Sequence, residues 1–147
     1  MLRSIFKLGA RGMLGGLLLA LACFAKDPAS PKKIDIDLTR MSGTMVYAQV
    51  NQLVSYPGKY VGKHIKMKGV FSSYYDEELE RRFYGCVISD ALACCSQGLA
   101  FELTKPRKFP DEYPDEGDDI VIEGDFDYEK DEGGGVFAII RNAEMRR

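Results

Sequence analysis

Three of the four cysteines stand within ten residues, in Cys86-Val-Ile-Ser-Asp90-Ala-Leu-Ala-Cys94-Cys95. Thiols grouped in this way support three chemistries. One is a disulfide between Cys86 and either of the adjacent pair, stapling a strand to the turn after it, as oxidising compartments favour. Another is a metal centre, where the thiolates with Asp90 or His64 complete a tetrahedral zinc site, or the thiolates alone take copper(I). The third is thiol redox exchange. Each meets an objection. With Cys23 set aside as an anchor, an odd number of thiols leaves one unable to pair within the chain. Adjacent side chains in a strand point to opposite faces, so a metal requires a turn at Cys94-Cys95. Redox exchange lacks a Cys-x-x-Cys or a strand–helix context. Asp90 suits an Asx turn as well as a ligand position.

Other residues narrow the function classes. His64 is the only histidine, and it falls on the outward face of a strand, where it reads as surface. That leaves no basis for a His-based triad or a Cys–His dyad. No phosphate-binding glycine loop, dinucleotide fingerprint or zinc-protease motif occurs. Asp125-Phe-Asp127-Tyr-Glu129 lacks the glycine and glutamate that a calcium loop needs, and its alternation reads as the solvated face of a strand. Tyr74, Tyr75, Phe83 and Tyr84 resemble a base-stacking platform. An acidic, exported chain argues instead for packing, and against nucleic acid as a partner. The expectation is a non-catalytic protein.

The elements that must position the thiols are mostly strands. Residues 62–71 (Gly62-Lys-His-Ile-Lys-Met-Lys-Gly69-Val-Phe71) align without a gap on residues 117–126 (Gly117-Asp-Asp-Ile-Val-Ile-Glu-Gly124-Asp-Phe126). Ile65, Met67 and Phe71 match Ile120, Ile122 and Phe126, and period-two alternation gives each segment one buried face. The internal glycines predict a bulge or sharp bend. The outward faces carry opposite charge: His64, Lys66 and Lys68 on one, Asp119, Glu123, Asp125 and Asp127 on the other. Neighbouring strands would pair these charges across the ladder. Residues 83–89, 99–103 and 136–143 supply three more strands. Between them run a charged linker at 74–82, a linker at 104–118 with three prolines, and a Gly-rich tip at 130–135. Val46, Tyr47, Val50, Leu53 and Val54 fall on one helical face over 44–55, which Ser42 or Thr44 can cap and Pro57 ends. These elements predict a mainly β fold: a small five-stranded Greek-key barrel of the OB type with one short N-terminal helix. A five-stranded sandwich is the alternative.

The N-terminus predicts export. Arg3, Lys7 and Arg11 precede the apolar run 13–22, which is too short for a mature span, and Ala20-Leu21-Ala22 is an A-x-A cleavage site. Residues 1–22 therefore read as a signal peptide. Leu19-Ala-Leu-Ala-Cys23 resembles a lipobox, with Ala at one position where Leu is usual. The resemblance implies cleavage before Cys23, lipidation of its thiol and a membrane anchor. Ordinary cleavage to a soluble periplasmic protein is the other outcome. Residues 23–42, with Pro28, Pro31, Lys32 and Lys33, read as a flexible tether, and 43–147 as the domain. Removal of 1–22 takes the formal charge from −2 to −5.

From about residue 37 to 145 the chain resembles an uncharacterised family of bacterial cell-envelope lipoproteins. The resemblance rests on Tyr56-Pro-Gly-Lys-Tyr60-Val-Gly-Lys63, Met67-Lys-Gly69, Phe83-Tyr-Gly-Cys86, Asp90-Ala-Leu-Ala-Cys94-Cys95-Ser-Gln-Gly98 and Tyr113-Pro-Asp-Glu-Gly117-Asp. The Asp-Ala-x-Ala-Cys-Cys-x-x-Gly core is its specific part. The adjacent cysteines near an aspartate also resemble the exported domain of a family of permease-associated membrane proteins. Neither resemblance brings a chemistry with it. The expectation is a lipid-anchored envelope module whose Cys86/Cys94/Cys95 corner binds a soft metal or a membrane partner. A thiol-redox protein and a disulfide-stapled structural domain are the alternatives.

Overall fold

The computed structural model describes residues 32–130 and 134–147. The leader, Cys23 and most of the tether lie outside the described residues, as does part of the 130–135 tip. The fold is mainly β, with one α-helix and a six-stranded mixed sheet. In chain order the elements are β1 (Ile36–Asp37), α1 (Gly43–Ser55), β2 (His64–Asp76), β3 (Arg81–Ser89), β4 (Ser96–Leu103), β5 (Asp119–Lys130) and β6 (Val136–Arg146).

The strand count is six rather than the expected five. The extra strand is β1, two residues paired in parallel with Ile65 and Lys66 of β2. It is too short to show any period in the sequence. A 3-10 turn at Leu38–Arg40 follows, and Leu38 is buried. These residues belong to the segment read as tether, yet here they pack on the domain.

The alternation in the two repeated segments governs the core. Ile65, Met67, Phe71, Ile120, Ile122 and Phe126 are all buried. The segments pair with each other, antiparallel, from His64↔Asp125 to Val70↔Asp119. Each begins at a glycine of positive φ, +79° at Gly62 and +90° at Gly117. Their ends are stitched reciprocally: Gly62 N–H donates to Phe126 O at 2.8 Å, and Gly117 N–H donates to Phe71 O at 2.9 Å. The opposed charges meet as the sequence implies. Lys66 Nζ lies 3.4 Å from Glu123, and Lys68 Nζ lies 2.9 Å from Asp119.

β2 serves two partners. Its first half pairs with β5, and its second half, from Val70 to Asp76, pairs with β3. The changeover is at Gly69, where a Cβ would stand 2.5 Å from Val87 O and 2.8 Å from Cys86 Sγ. Gly124 is equally tight, 2.6 Å from Arg141 O, and sits at a register shift against β6. β3 continues antiparallel to β4, β4 runs parallel to β6, and β6 runs antiparallel to β5. The succession of pairings β2–β3–β4–β6–β5 therefore returns to β2.

The helix buries Val50 and Leu53 against the sheet, with contacts to β4 and β6. Ser42 occupies the N-cap position without a side-chain capping bond, and a 3-10 turn beginning at Pro57 follows the helix. Val54, expected on the buried face, is 38% exposed. The proline-rich linker contributes to the core: Tyr113 is buried and stacks on Tyr84 at 4.2 Å between ring centroids. Outside the sheet, Arg141 of β6 holds Glu129 at 2.6 Å, Asp127 at 3.0 Å and Glu102 at 2.5 Å. Arg81 of β3 bonds Glu102 and lies 3.5 Å from Glu129. Four strands are tied by this cluster. No helix among the described residues is long and apolar enough to cross a membrane.

The close approach at Gly69 yields a stability test. Gly69→Ala forces the β2–β3 backbones apart and is expected to cost about 1–3 kcal/mol, as overpacking does. Gly58→Ala, where nothing lies within 4 Å of the added carbon, should stay within about 0.5 kcal/mol of the parent. Urea unfolding midpoints measure both.

Candidate metal centre

The ladder of β3 and β4 ends at Ser89↔Ser96. Beyond it the chain must reverse within six residues. Asp90 N–H donates to Cys95 O at 2.9 Å and closes the turn; Ala93 N–H donates to Asp90 O at 3.1 Å. Ala93 takes φ +55°, the left-handed conformation that such a tight reversal demands.

The Asp90 carboxylate organises this loop from within. Oδ1 accepts the backbone N–H of Leu92 at 3.2 Å and of Cys94 at 2.9 Å. Oδ2 accepts the Cys94 thiol at 3.0 Å. The Asx-turn role expected of Asp90 is thus present, and the same wrapping sets Cys94 Sγ 3.8 Å from Cys95 Sγ. Asp90 is partly buried, and both cysteines are exposed. The three ligand atoms, one from each residue, lie within 4.8 Å of one another. The turn at Cys94-Cys95 overcomes the alternation that would otherwise separate neighbouring side chains.

Electrostatics couple the pair. The Cys94 thiol holds the Asp90 carboxyl below the usual carboxylate range, with the loop's backbone N–H groups adding to the effect and burial opposing it. Conversely, the hydrogen bond to Asp90, and then that to Cys95, pushes the Cys94 thiol above the usual thiol range. The proton therefore stays on the Cys94 sulfur, hydrogen-bonded to the carboxylate.

Cys86 is not brought to this group. It lies mid-strand on the inward face of β3, opposite Phe71 and Leu99, and is fully buried. Burial pushes its thiol up to about 12. Asp90 is four positions further along the chain, and Cys95 four positions before Leu99, the cross-strand partner of Cys86; each offset is roughly 13 Å at the usual rise. A disulfide needs Cα atoms within about 7 Å, so neither the expected bridge nor a metal shared with Cys86 fits this arrangement. All three described cysteines are free.

His64 departs from its expected exposure. Its side chain is only 12% exposed, with Nδ1 2.8 Å from Asp125 and Nε2 3.5 Å from Glu123. Its cross-strand neighbour Asp125 also receives Lys32 Nζ at 2.5 Å. The imidazole is thus engaged by β5 carboxylates and takes no part in the cysteine group. Of the aromatic series, Tyr74 and Tyr75 are exposed, whereas Phe83 packs edge-on to Phe137 and Tyr84 joins the core rings. One neighbour of the cysteines has no signal in the sequence: Leu92, at the tip of the turn, is 84% exposed.

No protein-family model matches the chain, and neither curated proteins nor solved structures yield a match.

The two classes of thiol should separate by reactivity. In the native protein, iodoacetamide is expected to label Cys94 and Cys95 and to reach Cys86 only after unfolding, as peptide mass mapping would show. Asp90→Asn removes the charged acceptor, so the Cys94 thiolate fraction and its alkylation rate near pH 8 should rise. A rate unchanged by Asp90→Asn would contradict the coupling.

Proposed function

We propose that this chain is a non-catalytic, lipid-anchored module of the cell envelope that binds a soft metal ion through Asp90, Cys94 and Cys95. The observation that carries the reading is the 3.8 Å separation of the two sulfurs beside a carboxylate. Two sulfurs each about 2.3 Å from a tetrahedral zinc stand about 3.8 Å apart. The same estimate gives about 3.6 Å between sulfur and a carboxylate oxygen. The 3.0 Å thiol–carboxylate contact therefore opens slightly as its proton leaves. The set supplies three protein ligands and leaves a fourth position facing solvent, the pattern of an exchangeable rather than a closed structural site. Zinc suits this mixed set best; copper(I) would draw on the sulfurs alone.

The basic and apolar leader with Cys23 supports export and a membrane anchor. The returning succession of strand pairings, with β5 coming back beside β2 after the β2–β3–β4 hairpins, supports an OB-type Greek-key barrel. A second reading follows from the same sulfur spacing: two adjacent exposed thiols can close to a vicinal disulfide, which would make the turn redox-active.

Zinc titration of reduced full-length protein tests the metal reading. One ion per chain is expected. Cys94→Ser or Cys95→Ser should abolish binding, and Cys86→Ala should leave it intact. Asp90→Ala should weaken it by more than about tenfold, a loss seen even for outer-shell partners. Binding displaces thiol protons, so affinity should rise with pH. Failure to bind zinc or copper(I), with Cys94 and Cys95 oxidising together in a thiol count, would favour the redox reading instead.

A further inference from the structure

We infer that a second site, apart from the cysteine turn, binds a phosphate or carboxylate group carried on a flat apolar body. The site is a cavity of about 380 Å³ between β3, β4, β6 and the proline-rich linker. Its polar groups are chiefly Arg81, Arg82, Arg107 and Glu102; its apolar wall includes Tyr84 and Phe101.

The arginines differ in how they are neutralised. Arg81 and Arg141 share Glu102 and Glu129, and Arg141 also holds Asp127. The Glu102 charge is therefore already engaged on the outer side. Arg82 is also partly buried, yet no carboxylate pairs with it among the described residues. Its Nη1 donates to Ser73 Oγ at 3.2 Å, and its guanidinium lies 4.2 Å from the Phe109 ring centroid and 5.4 Å from that of Tyr75. Arg107 donates only to Met145 O, at 3.2 Å, and likewise has no carboxylate among those residues.

Among the described residues, two guanidinium groups of one cavity thus have no carboxylate counter-charge. Arg82 is partly removed from water, which favours an anion beside it. Each guanidinium has five N–H donors and uses one on protein here, so a planar fork remains for a bidentate acceptor. The rings around Arg82 fix its orientation in advance, which lowers the ordering cost of binding. Arg107 also borders a second cavity of about 300 Å³ with Lys105 and with Arg146, which is paired to Glu144 at 3.3 Å.

Phenyl phosphate, inorganic phosphate, and phosphatidylcholine vesicles with and without phosphatidic acid are the probes, applied to the full chain. Phenyl phosphate should bind one to one, shift the Tyr84 and Tyr113 ring resonances, and weaken with salt. Arg107→Gln, at an exposed position, should reduce affinity about tenfold or more, as should Arg82→Gln if it folds. Lys59→Gln should change nothing. Binding of phosphatidic acid vesicles that requires both arginines would also support the site and assign its source to a lipid headgroup. Equal affinity for inorganic and phenyl phosphate would overturn the apolar component. No binding of any probe, or binding indifferent to Arg107→Gln, would overturn the proposal.

Discussion

At Gly69 two backbones approach more closely than any side chain permits, and the arrangement of the other strands depends on that contact. β2 passes there from β5 to β3, with Val87 O 2.5 Å from where a Cβ would stand. A strand that changes partner midway must bend, and it bends most sharply where no side chain separates it from its neighbour. Gly124 does the same for β5 against β6. With both bends in place, β3 and β4 are carried round to meet β6, and the hairpin that bears the cysteines leaves the sheet at a defined edge. The thiol turn is thus a consequence of packing some distance away, since its direction is inherited from the β3–β4 ladder.

Charge is distributed on the same plan. On the outer surface Arg81 and Arg141 share carboxylates in one cluster, Arg141 holding three and Arg81 two. Such a cluster ties strands together with less reliance on any single exposed pair, each worth only about 0–1 kcal/mol. Against that background the two arginines of the linker cavity and the thiol–carboxylate turn stand out in opposite senses. One is cationic without a carboxylate among the described residues; the other is a thiol proton donated to a carboxylate. The thiol turn and Arg107 lie on connections, whereas Arg82 belongs to the β2–β3 ladder.

Much of this was open to reading from residue order, and the exceptions have physical causes. The 62–71 and 117–126 segments are legible because alternation with a matched glycine leaves one burial solution for each. β1 is illegible because two residues carry no period. Cys86 is ambiguous in the sequence: Phe83 and Val87 on one face, and Tyr84 and Ile88 on the other, are all apolar, so alternation does not say which face is inward. The structure sends Cys86 inward and leaves the adjacent pair outside. Asp90 is legible as a turn former, but the meeting of two neighbouring sulfurs depends on Ala93 taking positive φ, which no residue type announces. Tyr113 is hidden by the prolines around it. His64 is covered by carboxylates from a strand more than fifty positions away, and Arg82 and Arg107 are ordinary cations until the described residues show no carboxylate beside them.

The mutual pairing of the two repeated segments also bears on self-recognition. Their register is centred on Met67↔Ile122, residues that hold the same place in each repeat. Each segment consequently has the shape to pair with a second copy of itself about the same centre. Charge distinguishes the choices. In the native pairing Lys66 faces Glu123 and His64 faces Asp125. A β2–β2 pairing about Met67 would set Lys66 against Lys68, and a β5–β5 pairing about Ile122 would set Asp119 against Asp125. Like charges directly opposed weaken a ladder. The shape of the repeat is therefore indifferent to partner, and the opposite signs of the two outer faces steer each strand to its complement in the same chain and away from strand exchange between molecules.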